Sequence, residues 1–212
     1  MGDSITNGEG QPMLGVRCQS WALWLASGLE LPYTGLAQNG AVAGQAVAEQ
    51  VPRLRGPYDL ACVYVGVNDV RSPGFELDPY VEAVDAVLGG VGRHADRVLV
   101  ATIPLRLGRP PAPPARIERA NRAIERLAGE HGASVVDLRG LRGWKLVLPD
   151  RVHLTALGQL QVADLAAGAL GGECRPADLA DPHRSVRART RYALTTHAAA
   201  VGRDARRRFA ER

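Results

Sequence analysis

Three nearly unbroken apolar runs, separated by stretches with helical spacing, narrow most strongly what this chain can fold into. Asp59 to Val65 (Asp-Leu-Ala-Cys-Val-Tyr-Val) has the pattern of a strand covered on both faces. Arg97 to Ile103 and Ala133 to Leu138 repeat that pattern. Between them, Leu77 to Leu88 brings Tyr80, Val84, Val87 and Leu88 to one helical face. Arg116 to His131 does the same with Ile117, Ala120, Ile124, Leu127 and Ala128, and Gly132 stands where a C-terminal cap belongs. Strand alternating with helix predicts a parallel sheet with helices on both faces, a doubly wound α/β domain. A length of 212 residues with 46% hydrophobic and 23% charged residues suits a single domain with an ordinary core.

The flanking segments fit the same plan. Cys18 to Leu31 predicts an amphipathic helix carrying Trp21, Leu23, Trp24, Leu25 and Leu29, stopped by Pro32. Its tryptophans suit the core, with a substrate wall as the alternative. Tyr33 to Gln38 is a weak strand candidate, and Gln45 to Leu54 and Thr155 to Leu170 read as helices. Cys18, Cys62 and Cys174 are too few and too scattered for a disulfide framework or a zinc site. The chain shows neither a charged-then-apolar leader nor an eighteen-residue apolar run, so the default expectation is a cytoplasmic protein.

Chemistry-bearing residues collect at loops that such a sheet brings to one edge. Gly2-Asp3-Ser4 with Gly8 after it suits a tight turn presenting a hydroxyl at a helix start. A serine hydroxyl needs a base within reach and a third group to orient that base. Asp150-Arg151-Val152-His153 can supply both. Asn39 to Gly44 is a small-residue loop opening a helix, a geometry that exposes backbone N–H groups to an anion or oxyanion; a plain strand-to-helix turn is the alternative. Gly66-Val67-Asn68-Asp69 follows the first buried strand, at the sheet edge where α/β proteins bind ligands, although Asn68 and Asp69 are also ordinary turn residues. The proline-rich stretch Pro104 to Pro114 predicts a stiff loop on the same edge and one lip of the site.

Taken together, these four blocks resemble the SGNH hydrolases, also called the GDSL esterase/lipase family, from Gly2 to about Leu170. The resemblance implies a flavodoxin-like three-layer α/β/α sandwich and hydrolysis of an ester or similar acyl bond. By position it makes Ser4 the nucleophile, His153 the general base and then acid, and Asp150 the orienting carboxylate. The oxyanion hole would comprise the backbone N–H groups of Ser4 and Gly44, with Gly40 the alternative glycine, and the Asn68 side-chain amide. No cofactor and no metal are implied, and the partner is a small-molecule acyl ester. Transfer of the acyl group to an alcohol instead of water, or a non-catalytic binding role, are the competing readings.

Two features depart from that pattern. The family carries an apolar strand before Gly-Asp-Ser, whereas only Met1 precedes Gly2 here. A truncated first strand is therefore expected, with the true start upstream, because a central strand cannot be lost without orphaning its neighbours' backbone groups. The division expected is a hydrolase-like domain over residues 1–172 and an arginine-rich helical tail over 173–212.

The net charge of +4 is concentrated in that tail. From His183 onward nine arginines (184, 187, 189, 191, 203, 206, 207, 208 and 212) face Asp204 and Glu211, a balance of +7. Lys145 is the only lysine, as in chains from GC-rich coding, so single arginines carry little information. Ser185 to Phe209 reads as a basic helix with Val186, Tyr192, Leu194, Val201 and Phe209 as sparse apolar contacts. It is expected to lie on the domain with its charges in water. An anionic lipid or acidic partner is the second reading, and nucleic acid is disfavoured because no reader module or stacking platform accompanies the arginines.

Overall fold

The computed structural model describes residues 1–182 and 185–210, the side chains of 207–210 excepted. Strands β2 (Tyr58–Val63), β3 (Ala95–Ala101) and β4 (Ser134–Val136) form a parallel sheet in that order. Val63 lies opposite Val100, and Val100 opposite Val135. Met1 and Gly2 extend the sheet beyond β2. The Met1 ammonium donates to the Cys62 carbonyl at 2.7 Å, the Tyr64 N–H donates to the Met1 carbonyl at 3.2 Å, and Gly2 bridges Tyr64 in parallel. On the far side of Gly2, the Gln38 N–H donates to its carbonyl at 3.0 Å.

Across the sheet the chain therefore runs 33–38, then 1–2, then β2, β3 and β4. The order reverses at Gly2, and in open α/β sheets ligands bind at such a switch point, beyond the carboxyl ends of the strands. Helix α2 (Trp21–Gly28) packs on α7 (Ala156–Ala169), and α5 (Leu77–Gly92) on α6 (Pro114–Glu130). The α/β class with a parallel sheet expected from the apolar runs is the class observed.

Several expectations are corrected by the structure. Tyr33 to Gln38 is not a strand: it meets the neighbouring backbone through one hydrogen bond, from Gln38 to Gly2, rather than a ladder. The first run is covered on both faces only at its end. Val63, Tyr64 and Val65 are buried, while Asp59 is exposed and Leu60 to Cys62 are half-buried. A small second sheet pairs β1 (Gly10–Gln11) with β5 (Leu154–Thr155) in parallel. Strands of two residues carry no period that a sequence can display.

Helix ends follow local chemistry. Ser20 caps α2 by accepting the Ala22 N–H at 3.1 Å, which starts that helix later than its apolar stripe does. Gly132 sits at φ 64°, the left-handed conformation that ends a helix after the His131 cap of α6. Trp21 is fully buried in the main core with its Nε1–H donating to Thr6 Oγ1 at 3.1 Å, so it is a core residue and not a substrate wall.

The tail is helical in α8 (Val186–Tyr192) and α9 (Ala198–Ala210). It docks through Tyr192 and Ala200, 7% and 6% exposed, with the Trp144 ring 6.3 Å from that of Tyr192. Val186 and Leu194, expected as contacts, are 77% and 72% exposed: at about 100° per residue they lie well off the face that Tyr192 presents. The Phe209 side chain lies outside the described residues. Among the described residues no helix is long and apolar enough to cross a membrane.

Gln50 connects this framework to the turn that carries Ser4. It lies in the helical segment that continues α3 (Ala43–Gln45), is fully buried, and uses both ends of its amide on Gly2, accepting from its N–H and donating to its carbonyl at 2.8 Å each. Gln50→Met leaves the Gly2 N–H buried without a partner, which costs about 1–3 kcal/mol in addition to the lost bonds. Urea denaturation is expected to show a loss of about 2–4 kcal/mol; an unchanged midpoint would refute the clamp.

Candidate active site

Ser4 begins the single-turn helix α1 (Ser4–Asn7), directly after the point where Gly2 leaves the sheet. Gly2 has φ 149°, and a Cβ there would run into the Tyr64 carbonyl, so only glycine lets the chain turn this close to β2. Asp3 caps α1, its Oδ1 accepting the Ile5 N–H at 2.9 Å, and Gly8 closes the turn at φ 90°. The Ser4 hydroxyl is thereby fixed on rigid backbone, 5% exposed.

His153 reaches it from 149 residues away, aimed by Asp150. Ser4 Oγ lies 3.1 Å from His153 Nε2, and His153 Nδ1 lies 2.7 Å from Asp150 Oδ2. The other Asp150 oxygen accepts the backbone N–H groups of Val152 and His153 at 2.9 and 3.1 Å. One carboxylate thus shapes the turn and aims the imidazole. With Nδ1–H given to Asp150, Nε2 is left as the acceptor for the Ser4 proton.

The glycine block and the Asn68 block meet each other beside this turn. The Asn68 amide donates one N–H to the Ala41 carbonyl at 3.0 Å and keeps the second. The Ala43 N–H, first in α3, is bound by the Asp69 carboxylate at 3.0 and 3.2 Å. The next N–H, that of Gly44, lies in the first helical turn, where no intrahelical carbonyl can accept it, and Gly44 is exposed with open space around it. The Ser4 N–H has the same standing in α1. Asn7 binds Asn39 at 2.7 Å, which joins the glycine loop to the serine turn. Among the described residues no hydrogen bond runs directly from Gly44 or Asn68 to Ser4. Gly40, the alternative glycine, instead makes the loop's left-handed turn at φ 78°.

Three contributors escaped the motif reading. Gln50 has no local signal, since its bonds to Gly2 are distant in sequence, and what sets Asp3 apart from an ordinary helix cap is its burial, which the local sequence does not show. Glu9 places a carboxylate 3.6 Å from His153 Nε2 and is visible in the sequence only as an ordinary loop residue. The proline-rich stretch does reach the site: the Gly108 N–H donates to the Arg151 carbonyl at 2.9 Å.

These carboxylates set the site's electrostatics. Burial works to lower the His153 pKa, but the hydrogen bond and charge of Asp150, with Glu9 and Asp3 behind them, outweigh it and leave the pKa raised above 6.5. Burial likewise pushes Asp150 upward, and the His153 and backbone hydrogen bonds more than reverse it, so Asp150 stays below its ordinary range. Asp3 is different: burial dominates its Ile5 hydrogen bond, and its pKa is pushed up to about 7.

This is the fold of an α/β hydrolase, and solved structures share the fold. An α/β hydrolase enzyme, LAE5, from the metagenome of Lake Arreo in Spain superposes with a TM-score of 0.65 at 20% identity, over 80% of this chain and 92% of that one. An acetylxylan esterase, Axe2, from Geobacillus stearothermophilus gives 0.63 at 19% identity, over 81% and 92%. Catalytic mutants of Axe2 have also been solved, at a serine, at an aspartate and at a histidine three positions after that aspartate. No curated protein matches the sequence. The model of the GDSL-like lipase/acylhydrolase family matches residues 1–160, and the chain belongs to that family. It is a carboxylic ester hydrolase.

The raised pKa of Asp3 has a consequence for stability. Above pH 4 the unfolded chain releases this proton while the folded chain holds it, so stability falls as pH rises from about 4 towards 7 and the penalty is constant above that. A displacement of about three pKa units sets an upper limit of about 4 kcal/mol. Asp3→Asn keeps the Ile5 acceptor and removes the penalty. Relative to wild type it is expected to gain stability in urea titrations as pH goes from 5 to 8; an equal difference at both pH values would overturn this assignment.

Proposed function

We propose that the chain hydrolyses short-chain carboxylic esters of polar alcohols through a serine acyl-enzyme. The observation that carries this reading is the continuous hydrogen-bonded path from Ser4 Oγ through His153 to Asp150, with contacts of 3.1 and 2.7 Å. His153 Nε2 takes the hydroxyl proton as Ser4 Oγ attacks the ester carbonyl. The tetrahedral oxyanion is held by the Ser4 and Gly44 N–H groups and the spare N–H of Asn68. Collapse breaks the bond to the alcohol oxygen, which leaves with the proton from His153. Water, deprotonated by the same imidazole, then releases the carboxylic acid and restores Ser4.

The lining of the cavity beside His153 supports a polar leaving alcohol. The cavity at His153, about 230 Å³, is walled by Glu9, Gln11, Asp150, Arg203 and Asp204 among others, a lining that suits hydroxyl-bearing ligands better than a long hydrocarbon chain. The acetylxylan esterase among the structural neighbours agrees with such a substrate, and its catalytic serine, aspartate and histidine repeat the spacing of Asp150 and His153.

Hydrolysis of 4-nitrophenyl esters from acetate to palmitate tests the reading. Turnover is expected to be greatest with acetate or butyrate, to survive EDTA, and to vanish in Ser4→Ala. Asn68→Ala is expected to lower kcat about 10²-fold with little change in KM, as for loss of one oxyanion donor. Activity retained by Ser4→Ala, or an optimum at palmitate, would sink the proposal. The pH profile adds a second check: kcat/KM should fall on the acid side with a midpoint above 6.5, because His153 must be neutral to act. Asp150→Asn should shift that midpoint downward while reducing kcat about 10⁴-fold.

A further inference from the structure

Beyond the Leu148–Arg151 turn from His153 lies a second cavity, about 380 Å³ and within the range of small-molecule sites. Arg106, Arg109, Arg142 and Arg151 converge on it, together with Trp144 and His197. No carboxylate is among its lining residues, and none of these four guanidinium groups has an acidic partner among the described residues. The surface arginines Arg126 and Arg139, by contrast, are paired with Glu130, Glu125 and Asp137. A concavity lined by one sign of charge concentrates counter-ions, and guanidinium forks match carboxylate and phosphate oxygens.

The cavity is built into the catalytic framework. Leu148 and Pro149 line both it and the cavity that holds His153. Helix α9 and the turn before it wall both: His197 and Val201 face the arginines, while Ala200 and Arg203 face His153. Arg151 has φ 57°, a left-handed conformation that costs a non-glycine residue about 1–2 kcal/mol, and is held there by its N–H bond to the Leu148 carbonyl and by the Gly108 bond to its own carbonyl, both 2.9 Å. The turn that aims His153 therefore also fixes where Arg151 stands.

We infer that this arginine cavity binds an anionic group on the polar alcohol portion of the substrate, making the preferred substrates short-chain esters of sugars that bear a carboxylate or a phosphate. The inference rests on the proposed esterase reading for its link to turnover. The anion would sit one turn of chain from the ester being cleaved, so that charge selects the substrate and Ser4 cleaves it.

The test compares mono-O-acetylated glucose, glucuronate and glucose 6-phosphate, with 4-nitrophenyl acetate as the neutral reference. At least one acetylated anion is expected to show a KM about 10-fold below that of acetylglucose, with the advantage lost in 0.5 M NaCl. The uronate and phosphate arms identify which anion is favoured. Arg109→Gln combined with Arg142→Gln should lower the anionic-to-neutral ratio of kcat/KM about 10-fold. Calorimetry of glucuronate and glucose 6-phosphate with the Ser4→Ala protein gives a readout independent of turnover: millimolar or tighter binding by one of them, lost when Arg109 and Arg142 are also replaced, supports the site. Ester turnover without any preference for the anions, or no binding of either anion to Ser4→Ala, overturns the inference while leaving the esterase reading standing. Anion binding without turnover of any ester would instead remove the esterase reading and keep the cavity.

Discussion

The hold on Gly2 is the constraint from which the site follows. A serine can act only if its hydroxyl stays within about 3 Å of its base, and Ser4 follows Gly2 by two residues. The Gly2 backbone is fastened by Gln50 on both its N–H and its carbonyl, by the Gln38 N–H, and by its bridge to Tyr64. These partners come from three separate segments of chain. Gly2 is thus fixed by side-chain and loop contacts as well as by its bridge to the sheet. The approach to Tyr64 is open only to glycine, so the same residue that allows the turn also sets its distance from the sheet.

Asp150 does for the other half of the site what Gln50 does for the first. Its two oxygens divide the work: one holds the backbone of Val152 and His153, the other the imidazole. A carboxylate that aimed the ring without shaping the turn would leave the ring's origin loose. The bond from Gly108 to Arg151 ties this turn to the proline-rich loop, whose restricted backbone resists displacement. Rigidity at Ser4 and at His153 therefore arises separately, and the 3.1 Å contact between them reports that two independently fixed units agree.

Much of this was legible in the sequence, for identifiable reasons. Apolar runs and helical stripes are dense signals, so the α/β class could be read from them, as could the position of the loops that hold Ser4, Asn68, Asp150 and His153. What escaped was carried by single contacts. Two-residue strands have no period, and Gln50 looks like any polar helical residue until its burial is known. Tyr33 to Gln38 is a weak strand candidate by composition, yet a strand also needs a ladder, and pairing is a property of the assembled sheet. Val186 and Leu194 failed as predicted contacts because hydrophobic identity alone does not fix which face of a tail helix meets the domain.

The charges around His153 form two zones with opposite tasks. Close to the imidazole stand Asp150, Glu9 and the buried Asp3, which favour its protonated form and, in the proposed mechanism, would stabilise the ion pair created when Ser4 gives up its proton. An acidic interior of this kind repels an anionic substrate at the very place where the ester must settle. The arginines of the second cavity sit outside it, across the Leu148–Arg151 turn, where on the inference drawn above they would offset that repulsion. Separation by one turn of chain lets both fields coexist, and the left-handed backbone of Arg151, carboxylate before it and guanidinium on it, is the joint between them.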